Sequence, residues 1–402
     1  MHDFILPVGP QHPALIEPVH MRLKVEGETI VSLEDLQLGY NHKGIEKSLE
    51  NRTWHKAVFL SERVCGICGN FHTSCFAQGV ESLMDTDIPN RAKHIRMVIS
   101  ELERIHSHLL CNGLVAHEMG LDTLFHYIFR DREVAMDLQE MLTGNRVHFS
   151  MNQIGGVRRD ISDMQTKEMQ DKLENFKERM RHYARVFSKD AAIKRRTRKI
   201  GVLTQEKARE LCAVGPVARA SGLEYDIRKT GYLCYGDMKF RPVMGDGGDV
   251  AERITLRFRE CLESIDMIQN GLALIPKGEI SKKLPLVLSI EPGKEVVSRV
   301  EAPRGELFYY VRSAGDRPYR VKIRTPTYSN FHVLETILKG YQVADLPVII
   351  ASIDPCMSCT DRVTLVKENG KETTLTKEDF HHLNDHMMGN EHSHEGGHPH
   401  DH

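Results

Sequence analysis

Two short stretches decide how this chain is read: SERVCGICGNFH at residues 61–72 and SIDPCMSCTDR at residues 352–362. Each carries a C-x-x-C pair, Cys65 with Cys68 and Cys356 with Cys359. Two intervening residues let both thiolates reach one centre from a single turn, and two pairs offer four sulfur ligands. Thiolate sets select soft or borderline metals: zinc, copper(I), iron–sulfur, or nickel in a sulfur-rich site. Zinc ribbons place their pairs ~15–20 residues apart. Here roughly 290 residues intervene, so only the fold can bring the pairs together. A thioredoxin-like pair needs a βαβ context, which neither segment has. The other five cysteines read as small buried hydrophobes.

Away from these stretches the composition is that of an ordinary globular protein. The 402 residues are 40% hydrophobic and 27% charged, and at ~150 residues per domain the length suits two to three domains. Fifty-four basic and 56 acidic residues leave a formal charge of −2, which removes the electrostatic case for a nucleic-acid partner. No apolar run approaches the ~18–20 residues that span a bilayer. The start, MHDFILPVGPQHP, has no basic region followed by a long apolar run, so no secretory signal is expected. An odd count of nine cysteines argues against a disulfide framework and for a cytoplasmic chain. No phosphate-cradling G-x-G-x-x-G or G-x-x-x-x-G-K-[ST] pattern and no G-x-S-x-G elbow is present, so nucleotide cofactors and a serine nucleophile are not supported.

Alternation predicts a hairpin over 19–38 that turns at Glu26-Gly27-Glu28. From Pro89 the period becomes helical, with Ile95, Val98, Ile99, Leu102, Ile105 and Leu109 on one buried face. Further helices are expected over 121–142, about 164–190 and about 249–274, the 164–190 helix presenting a solvated, charge-rich face. ELFYYVRS and YRVKIRT flank AGDRP as a second hairpin, and a short helix is expected near 330–340. The class is α+β and helix-dominated, with β-rich ends. The expected divisions are a main domain over 1–362, an extension over 363–387, and a disordered His-rich tail over 388–402. Within the extension, VTLVKENGKETTLT reads as a hairpin around Asn369-Gly370 and TKEDFHHLNDH as a capped helix start. Eight of the 22 histidines lie between His381 and His402, a metal-binding composition or a solvated tail.

The neighbours of the cysteines say more. Arg63-x-Cys65-Gly66-x-Cys68-x-x-x-His72, Asp354-Pro355-Cys356-x-x-Cys359-x-x-Arg362 and Ala302-Pro303-Arg304-Gly305 resemble the signatures of the large subunit of nickel–iron hydrogenases. His12-Pro13, His42-Lys43-Gly44-Ile45-Glu46, the 101–109 run ELERIHSHL, Gly155-Gly156-Val157, Gly215-Pro216 and Tyr225-Asp226-Ile227-Arg228-Lys229 resemble the 49-kDa-type subunit of respiratory complex I. That subunit lacks the four cysteines. A complex I body with intact hydrogenase cysteines is similar to the membrane-bound, energy-converting hydrogenases. The resemblance covers about residues 5–366 and implies their fold, a central helical bundle with small β regions near the termini.

The resemblance also implies roles. Cys65 and Cys356 match terminal nickel ligands, and Cys68 and Cys359 match ligands that bridge nickel to an iron carrying carbon monoxide and cyanide. Arg304 and Ser352 match positions that hydrogen-bond the cyanides, as donors suited to an anionic acceptor. Arg304 also matches a residue beside the open metal face. His72 matches a histidine that tunes a bridging thiolate. Cys356 would take the proton first, and Glu17 would carry it away. Glu46 matches a ligand of a third metal, often magnesium, although Arg362 stands where that site uses histidine. The implied partners are an iron–sulfur small subunit, membrane-embedded subunits, ferredoxin through other subunits, and a maturation endopeptidase that cuts after Arg362. The implied location is peripheral, on the cytoplasmic side of the membrane. Two other readings stay open: a polysulfide or quinone reductase on the complex I scaffold, where loss of a cysteine pair is expected, and a zinc-stabilised structural subunit.

Overall fold

Helical periodicity accounts for most of the architecture. The computed structural model describes residues 3–13, 15 and 17–360, together with the backbone of 365–366 and 372–373. The chain divides into two units, Met1–Asp361 and Arg362–His402. The first opens with strands β1 (Asp3–Val8), β2 (His20–Glu26) and β3 (Thr29–Gln37), an antiparallel sheet in that order. The β2–β3 pair is the expected hairpin; β1 was not expected. Five helices follow: α1 (Ile45–Glu50), α2 (Trp54–Ser61), α3 (Gly69–Leu83), α4 (Asn90–Glu118) and α5 (Asp122–Thr143). After the short strands β4 (Asn152–Gln153) and β5 (Gly156–Val157) come α6 (Asp163–Lys189), α7 (Ala191–Thr197), α8 (Gln205–Glu210), α9 (Gly215–Ala220) and α10 (Val250–Leu274). A second antiparallel sheet, β6 (Glu295–Ala302), β7 (Gly305–Ser313) and β8 (Pro318–Arg324), is followed by α11 (Pro326–Phe331), α12 (Leu334–Leu338) and α13 (Leu346–Ser352). The sequence reading found the β7–β8 hairpin and missed β6, the strand that leads into Arg304.

Helix α6 shows how sequence sets an element. Ser162 and Gln165 form a capping box that satisfies the first free amides. Met169, Leu173, Phe176, Met180, Tyr183 and Phe187 then recur at spacings of four and three and are buried. That stripe packs on α10, each large side chain contributing about 1.5–3 kcal/mol of burial. The charged remainder faces solvent, as expected. Helix α4 departs from its expectation. Its apolar positions are buried, but so are Arg96, Glu101, Glu103, Arg104, His106, Ser107 and His108. It is enclosed by α5, α10 and α13, so its polar side is interior and must be paired there.

Arginines and carboxylates do that pairing. Glu101 takes Arg104 and Arg228, while Arg219 bridges Glu260 and Glu301 at 2.8 and 2.7 Å. Tyr235 and Ser264 donate to Glu101 at 2.6 Å each. Removing one partner would strand a buried charge, a loss of about 3–5 kcal/mol.

The apolar side chains gather in two clusters. The larger fills the helical bundle; the smaller lies between α1–α3 and the β6–β8 sheet and contains Cys65, Cys68, Cys356 and Cys359. In the second unit, β9 (Leu365–Val366) pairs antiparallel with β10 (Glu372–Thr373), in keeping with the expected hairpin. The helix start at 376–386, the histidines beyond it and the Arg362–Val363 bond lie outside the described residues. Among the described residues, no helix is long and apolar enough to cross a membrane.

Candidate metal centre

The first cysteine loop is built by a broken helix. After α2, one 3-10 turn (Glu62–Val64) gives way to extended backbone at Cys65, and Cys68 is the N-cap of α3. The second loop follows α13. Asp354 holds a left-handed backbone with φ of 57°, and Cys356 precedes a 3-10 turn over Met357–Cys359. Thr327 accepts the Cys356 amide at 3.3 Å, and Thr325 donates to the Cys359 carbonyl at 2.9 Å.

These loops bring all four sulfurs together. Cys65 Sγ lies 3.5 Å from Cys356 Sγ, and Cys68 Sγ lies 3.8 Å from Cys359 Sγ. The sulfurs of Cys65, Cys68 and Cys359 lie within 4.8 Å of one another. An ion with ~2.3 Å bonds to sulfur in tetrahedral geometry needs sulfurs about 3.8 Å apart, so this donor set fits a metal. The charges agree. Hydrogen bonding from Cys356, then Cys359 and Cys68, pulls the Cys65 thiol well down. Cys68 and Cys356 are pushed well up, the hydrogen bond from Cys359 that opposes this being outweighed by Cys65 and burial; Cys359 is pushed well up by hydrogen bonding with Cys356, then Cys65 and Cys68, and by burial. Thiols packed this closely resist ionising together, and a cation is what makes four thiolates favourable.

His72 reaches the cluster from α3. Its Nε2 lies 3.9 Å from Cys359 Sγ and its Nδ1 lies 2.7 Å from the Tyr309 hydroxyl. Burial holds the imidazole down at about 4 and the phenol well up, so both are neutral at pH 7. A metal-ligating Cys359 sulfur is an acceptor only, which assigns the ring proton to Nε2, facing the sulfur, and makes Tyr309 the donor to Nδ1.

Arg304 is held by two glycines. Gly305 has φ of +127° and an added Cβ would stand 2.6 Å from the Gly215 amide; a Cβ on Gly215 would stand 2.3 Å from the Arg304 carbonyl. The A-P-R-G turn thus abuts the start of α9 backbone to backbone. Arg304 donates to the Asp354 carboxylate at 2.7 Å, its carbonyl at 2.8 Å and Ser107 Oγ at 3.2 Å. Burial opposes its charge, but Asp354, Cys356, Cys68 and Cys65 hold it well up. Ser352 is buried, donates to the Ile349 carbonyl at 2.7 Å and accepts from Arg253 at 3.0 Å.

Glu17 sits on the second loop from outside. It accepts the amides of Met357 and Ser358, the Ser358 hydroxyl and, at 3.4 Å, Asn41. It also lines two open grooves of about 490 and 410 Å³. Lys43 ties the loops together, donating to the carbonyls of Val64 at 2.6 Å and Ser358 at 3.3 Å. Glu46, on α1, accepts the Ile323 amide at 2.8 Å and Lys322 at 3.1 Å, both on β8. The sequence reading missed Tyr309, Lys43, Asp354 and Ser107. Asp354 was visible inside D-P-C, but nothing in the sequence ties the other three to the cysteines.

Comparisons with known proteins identify the family of the chain. Residues 118–291 and 287–362 match the family described as the respiratory-chain NADH dehydrogenase 49 Kd subunit, and residues 43–112 match the nickel-dependent hydrogenase family. The chain is 40% identical over 390 residues to the membrane-bound hydrogenase subunit alpha of Pyrococcus furiosus, covering 93% of this chain and 91% of that one. It is 36% identical over 354 residues to a subunit of the NADH-quinone oxidoreductase of Desulforamulus reducens, covering 88% and 96%. A solved structure, the membrane-bound sulfane sulfur reductase (MBS), an archaeal respiratory membrane complex, aligns with a TM-score of 0.84 at 31% identity, covering 89% of this chain and 98% of that one. These relatives are oxidoreductases of membrane complexes, and the chain belongs to the family that joins the large subunits of membrane-bound hydrogenases to the 49-kDa-type subunit of respiratory complex I.

Proposed function

We propose that this chain is the catalytic subunit of a nickel–iron hydrogenase that interconverts dihydrogen with protons and electrons. The observation that carries this reading is the buried meeting of Cys65, Cys68, Cys356 and Cys359 from loops at opposite ends of the chain. Four thiolates suit a soft metal and exclude the hard, oxygen-seeking ions. When bound there, a nickel–iron centre with carbon monoxide and cyanide on the iron supplies the site for heterolytic cleavage of dihydrogen.

The protein's part is to hold the ligands and move protons. Cys65, Cys68, Cys356 and Cys359 would hold the centre through their sulfurs. Cys356 holds a proton, and Glu17 takes it away. Glu17 is suited to this because it touches the loop that carries Cys356 while lining an open groove. His72, with its Nε2 proton aimed at Cys359, withdraws charge from that sulfur. Arg304 would donate to the iron's anionic ligands, and Ser352 would do so by turning its hydroxyl away from the Ile349 carbonyl. Arg304 already donates to Ser107 and Asp354, so its head group is fixed before the ligands arrive.

Electrons enter through an iron–sulfur small subunit, because the described residues hold no second metal-ligating cluster. Ferredoxin is the proposed donor through other subunits. The chain sits on the cytoplasmic side of a membrane arm, and an endopeptidase trims it after Arg362. A second reading has one observation in its favour, the likeness to the sulfane sulfur reductase: the chain serves a polysulfide or quinone reductase. Assay of the purified membrane complex separates the two. Exchange of deuterium gas with water, lost when cells are starved of nickel, supports the hydrogenase. Polysulfide or quinone reduction that survives nickel starvation, without deuterium exchange, overturns it.

A further inference from the structure

Among the described residues, most buried carboxyls are matched to cations. Glu81, Glu101, Glu260, Glu301 and Asp354 each pair with an arginine. Glu62 and Glu103 do not, although they are 0% and 1% exposed. Both lie behind the first cysteine loop. Glu103 reaches from α4 to accept the amides of Asn70 at 3.0 Å and Phe71 at 3.1 Å. Glu62 accepts the amide and hydroxyl of Ser150 at 2.9 and 3.1 Å. Between them is Gly69, the first residue of α3. A Cβ there would stand 2.9 Å from Glu62 Cγ and 3.5 Å from His148 Nδ1. That nitrogen is buried and has no hydrogen-bond partner, while the residue as a whole is only partly buried. Glu62 and His148 thus converge on one missing side chain, next to a cysteine ligand and to the amides that Glu103 accepts.

We propose that Glu103, Glu62 and His148 form a second proton conduit, which leaves the cysteine cluster through the first loop rather than past Glu17. It rests on the proposed hydrogenase reading, which requires protons at the sulfurs. Capping α3 does not explain Glu103, because a neutral asparagine or glutamine accepts amide hydrogens without burying a charge. Burial pushes the Glu103 carboxyl well up, with the charges of Cys65 and Glu62 adding to it against the two amides. His148 is held down by burial and by Arg63 and Lys43, with Glu62 and Cys65 opposing, so it is a neutral acceptor at pH 7. Glu103, protonated at rest, gives its proton to Glu62 as the S–H bond breaks and the proton from sulfur replaces it on the carboxyl. Glu62 passes its proton to His148 Nδ1, and the imidazole releases its other proton from Nε2 to water.

The test uses the intact membrane complex. His148→Ala should slow deuterium exchange at low buffer at least ~10-fold, within the range that single acid–base groups supply, and added imidazole should restore it. Glu103→Gln placed in a Glu17→Gln background should lower the residual rate a further ~10-fold. In the resting complex, without turnover, a deuteration-sensitive infrared band of a protonated carboxyl should be present and vanish in Glu103→Gln. His148→Ala that runs at full rate, or that is slow but indifferent to imidazole, overturns the conduit, as does a carboxyl band that survives Glu103→Gln. Should Glu103→Gln fail to fold, the half-buried His148 still decides the matter. A wild-type complex without nickel or deuterium exchange overturns the hydrogenase reading instead, so the two failures are distinct.

Discussion

Replacing Glu17 by glutamine tests the relay most sharply, because the carboxylate has two jobs in the structure. It accepts two amides and a hydroxyl from residues 357–358, the loop between Cys356 and Cys359. It also faces the open groove. Glutamine keeps one accepting oxygen and turns a donating amide nitrogen toward donors. A hydrogen bond to a charged group is worth about 1.5–3 kcal/mol, so the loop loosens by roughly 2–3 kcal/mol. Thiolate-bound structural metals hold by about 10–16 kcal/mol, several times more, so nickel stays bound. Loss of the proton acceptor costs ~10²-fold or more in rate, about 2.7 kcal/mol in the barrier. The assay is therefore nickel per chain alongside deuterium exchange per nickel. Nickel content should stay near wild type while exchange per nickel falls ~10²-fold. Wild-type exchange per nickel refutes the relay, and nickel-free protein shows that Glu17 holds the loop instead.

Other outcomes follow from the same geometry. Cys65→Ser or Cys356→Ser substitutes a hard, poorly ionised hydroxyl for a thiolate and should abolish both nickel binding and dihydrogen chemistry; full nickel with retained activity in both would sink the ligand assignment. Tyr309→Phe strands the buried His72 Nδ1 and should cost about 1–3 kcal/mol in denaturant unfolding, with unchanged stability contradicting the tautomer argument. The Glu101 carboxyl is held at about 2, against 4.5 unfolded, because Arg104 and Arg228 outweigh the burial that opposes its charge. Its contribution, on the order of 3 kcal/mol, is therefore fully present above the unfolded value and lost as pH falls through about 2. Unfolding of Glu101→Gln measured from pH 6 to 2 should show a shallower acid decline than wild type, and parallel curves would contradict it. Mass spectrometry of the chain from active, nickel-replete complex should find a C-terminus at Arg362, whereas an intact His402 in active protein excludes trimming.

The sequence exposed some of this and hid the rest, for physical reasons. Long helices announced themselves wherever one face met solvent, as in α6, whose apolar stripe contrasts with its charges. In α4 the same reading found the apolar face and gave no partner to the polar one. That face is interior because Arg228 and the Glu301 carbonyl, 127 and 197 residues away, arrive to pair Glu101 and Arg104. No local pattern carries such a contact. Strands β1 and β6 escaped because each is recognised by its neighbour, not by its own alternation. The four cysteines were legible because metal chemistry restricts both residue type and spacing. Glu17 was legible only by resemblance. Tyr309 had no signal, since it meets His72 from 237 residues away, and the motifs that hold Lys43 and Glu103 did not show which backbone groups they reach.

The central claim is that these four thiolates hold nickel and iron together. Elemental analysis and infrared spectroscopy of the purified complex test it directly, the iron of the small subunit's clusters being subtracted by comparison with the small subunit alone. The account expects one nickel per chain, one additional iron, and infrared bands from carbon monoxide and cyanide, all absent when Cys65 and Cys356 are replaced by serine. Zinc alone in the four-cysteine site, or an active complex with no nickel and no diatomic bands, would contradict it.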